Sequence, residues 1–115
     1  DKVTADLQTE GFGVLSDIDV AAKMKEKLDK DMPRYRILGA CNPALANQAI
    51  EAVPDIGLLL PCNVCVEQTD AGSRVHIVDA ESMMASAGLE DNETITELGK
   101  DASERLERVA RALRA

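Results

Sequence analysis

The last stretch of the chain constrains the fold most. From Asn92 to Ala115, the residues Ile95, Leu98, Ala102, Leu106, Val109 and Leu113 recur at steps of three and four. That spacing lays them along one stripe of an α-helix. The opposite side is charged, with Glu104–Arg108 and Glu107–Arg111 spaced for ion pairs one turn apart. Such a helix draws most of its stability from burying its stripe against an apolar surface, and the rest of the chain must supply that surface.

The surface reads as short strands. Phe12–Ile18 and Arg34–Cys41 are strand-sized, and in the second Arg36, Leu38 and Ala40 alternate with Ile37, Gly39 and Cys41. Ile56–Leu60 is a near-continuous apolar run that predicts a third strand, broken at Pro61, with Cys62–Gln68 extended after it. Asp70-Ala71-Gly72 predicts a turn into Arg74–Val78. Four shorter helices fit between and before these runs. Asp1–Glu10 ends at Gly11, and Val20–Leu28 follows an Asp cap. Asn42-Pro43 pairs an N-cap residue with a proline at the first helical position and opens a helix that Pro54 closes. Asp79 caps a short helix that stops near Gly88. Helices mix with antiparallel strands, so the expected class is α+β.

At 115 residues and 45% hydrophobic content, the chain has the size and apolar share of one domain. Phe12 and Tyr35 are its only aromatics, so aliphatic side chains and methionine must fill the core. The net charge of −8 argues against nucleic acid, whose phosphates are held by clustered Lys and Arg, and against anionic membranes. No apolar run reaches the length of a membrane span. Three cysteines cannot close into pairs within one chain, so free thiols and a cytoplasmic location are expected.

Those cysteines carry the only suggestive chemistry. Cys41 stands just before the Asn42-Pro43 helix start, where amides and the helix dipole can stabilise a thiolate, although free cysteine is also a common core filler. Cys62-Asn-Val-Cys65 has the spacing of a redox or zinc pair. In a strand, however, residues three apart point to opposite faces, with Cys62, Val64 and Val66 on one side and Asn63 and Cys65 on the other. A Cys41–Cys62 pairing across neighbouring strands fits better, as a disulfide switch or a shared ligand site. His76 is the single histidine and reads as a surface residue; Cys41, Cys62 and His76 are the one conceivable zinc set. Met83-Met84 reads as helix packing. Paired carboxylates, phosphate loops and nucleophile elbows do not occur, so a binding role is expected ahead of an enzymatic one.

Arg34-Tyr-Arg-Ile-Leu-Gly-Ala-Cys-Asn-Pro43 and Gly57-Leu-Leu-Leu-Pro-Cys-Asn63, preceded by Phe12-Gly-Val-Leu15 and Ile18-Asp19, resemble the family called domain of unknown function 302. The resemblance implies a TATA-binding-protein-like topology of strand, helix, four strands and helix, with the helices packed on one face of an antiparallel sheet. Members usually carry a strand before the first helix, so residues 1–115 are expected to be a single domain lacking that strand. The family has no agreed activity, and the resemblance carries over only Cys41 and Cys62. The candidate ligand or redox residues are therefore Cys41, Asn42, Cys62 and Asn63, with no cofactor assigned. The expected partner is a sulfur species, a metal or another small ligand, or else a second copy of the chain that makes a homodimer.

Overall fold

The structure is a computed structural model and describes residues 2–89 and 91–114, so that of the readings above those on Asp1 and Ala115 lie outside the described residues. The chain runs α1 (Lys2–Thr9), β1 (Gly13–Asp19), α2 (Val20–Leu28), β2 (Tyr35–Cys41) and α3 (Pro43–Ala52). It continues through a 3-10 turn (Pro54–Leu59), β3 (Cys62–Thr69), β4 (Gly72–Ile77), α4 (Ala80–Ser86) and α5 (Glu93–Arg114). The four strands form one sheet in the order β1-β2-β3-β4, antiparallel throughout. The fold is therefore α+β, with the core under the helices on one sheet face.

Side-chain alternation decides which face that is. Leu38 and Ala40 of β2 and Cys62 and Val64 of β3 point inward and are buried. Val3 and Leu7 of α1 and Ala102, Leu106 and Val109 of α5 close over them. A second apolar cluster joins Ala49 of α3, Ile56, Met84 of α4 and Ile95 of α5. The other face carries Ile37, Cys65 and His76, together with Ile18 of β1.

Three departures from the sequence reading have physical causes. Ile56–Leu60 is not a strand but most of a 3-10 turn. Pro54 occupies its first position and Pro61 follows it, and β2 offers no residue beyond Cys41 for it to pair with. Its exposure does not alternate either, since Ile56 is buried while Leu58 is 88% exposed. The peptide bond between Leu60 and Pro61 is cis. Second, Arg108 pairs with Glu10 at 2.9 Å instead of Glu104, tying α5 to the end of α1, while Glu107–Arg111 forms at 2.8 Å. Third, Phe12 precedes its strand and is buried, its N–H donating back to the Leu7 carbonyl. Gly11 makes that reversal at φ +82°, where its missing side chain leaves room for Asn42.

Among the described residues, no helix is long and apolar enough to cross a membrane.

Candidate functional site

The site grows from the end of β2. Cys41 is the last residue of that strand and half-buried. Asn42 follows in extended conformation and caps α3, its Oδ1 accepting from the Leu45 N–H at 3.3 Å. Its Nδ2 donates to the Glu10 carbonyl at 3.4 Å, which Arg105 also reaches at 3.1 Å. Asn42 is thus a structural joint between α1, α3 and α5. Asn42→Ala is expected to cost about 1 kcal/mol of stability, seen as a lower urea midpoint in a circular-dichroism melt.

The helix start does less for Cys41 than its position suggests. Pro43 has no N–H, the Leu45 N–H goes to the Asn42 side chain, and the Ala46 N–H goes to the Asn42 carbonyl. Burial pushes the Cys41 thiol above its ordinary pKa. Cys62, 7% exposed at the start of β3, is pushed up as well, by burial first and by the nearness of Cys41 second. Both are neutral thiols at neutral pH, and neither takes part in a disulfide.

Cys41 and Cys62 line one small cavity of about 50 Å³ between the sheet and α3, α4 and α5. The β2–β3 register sets Ala40 opposite Cys62, so Cys41 is one position out of step; strand alternation turns it toward the other face from Cys62, and it borders the cavity only where β2 ends. Asn42 is the only other polar side chain in the lining, and Met84, Ile56 and Ile95 are among the apolar ones. Met84 also borders the cavity, and it packs in the apolar cluster with Ala49, Ile56 and Ile95, as the helix-packing reading of Met83-Met84 expects.

The remaining candidates lie elsewhere. Asn63 is exposed on the outer face, one residue past Cys62. Cys65 is on that face too, and its thiol raises the pKa of the neighbouring Tyr35 hydroxyl. The CxxC spacing therefore divides across the sheet. The zinc set with His76 does not form: His76 stands on the outer face of β4, its Nε2 2.9 Å from Glu67 Oε1. Among the described residues, no three His, Cys, Asp or Glu side chains gather to hold a metal.

Comparison with known proteins places this architecture. A crystal structure titled as an uncharacterized conserved DUF302 protein from Bacillus stearothermophilus superposes with a TM-score of 0.84 at 24% identity. The match covers 96% of this chain and 84% of that one, and it establishes a shared fold. No curated protein matches. The family model described as "Domain of unknown function DUF302" matches residues 1–113. Matched along nearly its whole length, this chain belongs to the DUF302 family.

Proposed function

We propose that this protein is a thiol-dependent binding protein whose ligand is a compact soft metal ion, with Cu(I) as the representative, held by Cys41 and Cys62 beside Met84. The observation that supports this reading is that Cys41, Cys62 and Met84 all border one small, mostly apolar cavity whose lining holds no carboxylate or imidazole. Thiolate and thioether donors select Cu(I), whereas oxygen-rich sites suit hard cations. Two neutral thiols in an apolar wall are inert until a cation replaces their protons. Binding then follows Cu(I) + 2 RSH giving Cu(SR)2 with one negative charge and two protons released.

That balance fixes the test. Under anaerobic conditions, Cu(I) is titrated against a chromophoric chelator with the reduced protein. One equivalent should bind, and affinity corrected for the chelator should rise by about 100-fold per pH unit below the thiol pKa values, because two protons leave. Cys41→Ala and Cys62→Ala should each lower affinity at least tenfold, while Cys65→Ala should not. Binding that follows Cys65, or none stronger than micromolar, contradicts the reading.

A second reading, self-association, has one specific observation behind it. Edge strand β1 is protected by a bulge between Val14 and Ser16 and by Asp17 and Asp19, whereas β4 has only the charge of Arg74 and no bulge, acid or proline. Weakly protected edges recruit strands. A dimer by light scattering at micromolar concentration, lost on Ser73→Pro, supports it; a monomer rules it out.

A further inference from the structure

A second opening lies on the helix-side face of the sheet, where β2 begins. It is a cleft of about 580 Å³ bordered by Thr4 of α1 and floored by all four strands. Its volume falls in the range that holds small organic molecules. Arg34 and Arg36, two apart and so on one face, both line it. Arg36 is engaged, its Nε donating to Asp17 Oδ1 at 2.9 Å.

Arg34 is different. Arg36, Arg74, Arg105, Arg108 and Arg111 each pair with a carboxylate. Among the described residues Arg34 and Arg114 have no such partner, in a chain with 21 acidic residues, and of the two only Arg34 lines this cleft. Its backbone is nonetheless fixed. The Arg34 N–H donates to Gln68 Oε1 at 3.3 Å, and its carbonyl accepts from the Gln68 N–H at 2.8 Å. With Oε1 engaged, the Gln68 side chain presents its NH2 as a donor. Ser73 adds a hydroxyl, and Val14, Leu38 and Val66 give the cleft an apolar stretch.

We infer that this cleft binds a small organic carboxylate with an apolar body, its head on the Arg34 guanidinium and its body along Val14, Leu38 and Val66. A guanidinium takes a carboxylate through two parallel hydrogen bonds. Asp17, kept ionised by Arg36, shares the cleft and disfavours a multiply charged anion. The inference is independent of the Cys41 cavity.

The test is an amide NMR titration of the protein with octanoate, with inorganic phosphate and octan-1-ol as parallel arms. Octanoate should shift the amides of Val14, Leu38, Val66 and Gln68. Arg34→Gln, a change at an exposed residue, should weaken octanoate at least tenfold, and Cys41→Ala should leave it unchanged. Absence of octanoate shifts at those residues overturns the inference. So does phosphate binding as tightly as octanoate (charge alone is read), or octan-1-ol doing so (Arg34 contributes nothing).

Discussion

Gly39→Ala is expected to destabilise the fold by about 1–3 kcal/mol, the usual cost of forcing a methyl group into a filled space. A Cβ at Gly39 would clash with Ser16 Oγ and sit 2.6 Å from Pro61 Cγ. Gly39 lies in the middle of β2, paired with Ser16 on one side and Asn63 on the other, so it cannot move without dragging both neighbouring strands. The serine hydroxyl can rotate away, but the proline ring is fixed by its own backbone. The double variant Gly39→Ala with Ser16→Gly should therefore recover only part of the loss. In urea denaturation the midpoint should fall while the slope stays constant, because the surface exposed on unfolding is unchanged. An unaltered midpoint would mean that Pro61 does not pack on β2 as described. The consequence reaches the site, since Pro61 immediately precedes Cys62 and Gly39 is two residues before Cys41.

Ile56→Ala is the second large effect, at about 2–5 kcal/mol. Ile56 is 2% exposed and packs in the cluster with Ala49, Met84 and Ile95. It is the one buried residue of the 3-10 turn. Truncation removes its transfer energy and also enlarges the cavity that Cys41 and Cys62 line, because Ile56 is part of the wall. Leu58→Ala in the same turn, at a position 88% exposed, should change stability by less than about 0.5 kcal/mol. The contrast between the two separates the observed turn from a strand. In a strand, residues two apart share a face, and the two substitutions would cost similar amounts.

Local signals were legible in the sequence wherever the deciding chemistry was local. The Asn42-Pro43 start, the Asp19 and Asp79 caps and the α5 stripe each act within one turn, and the helices stand where those residues put them. The division of Cys62 from Cys65 was legible for the same reason, since strand alternation needs no knowledge of the partner strand. The Pro54–Leu59 turn was not, because a short apolar run has no period, and only the end of β2 decides whether it finds a strand to pair with. Nor was the partner of Arg108, which lies 98 residues away at Glu10. The position of Cys41 before a helix left a stabilised thiolate and a packed thiol both open, and burial, which raises the thiol pKa, favours the second. Met84 joins the cavity wall only through the packing of α4 against α5, which no spacing in the chain announces.

The central claim is that Cys41, Cys62 and Met84 act as one sulfur site. X-ray absorption at the copper edge of the Cu(I)-loaded protein tests it most directly. The account predicts a first shell of sulfur alone, with one sulfur fewer in Met84→Leu and no change in Cys65→Ala. A shell containing nitrogen or oxygen ligands, or one that changes with Cys65 and not with Cys41 or Cys62, would contradict it.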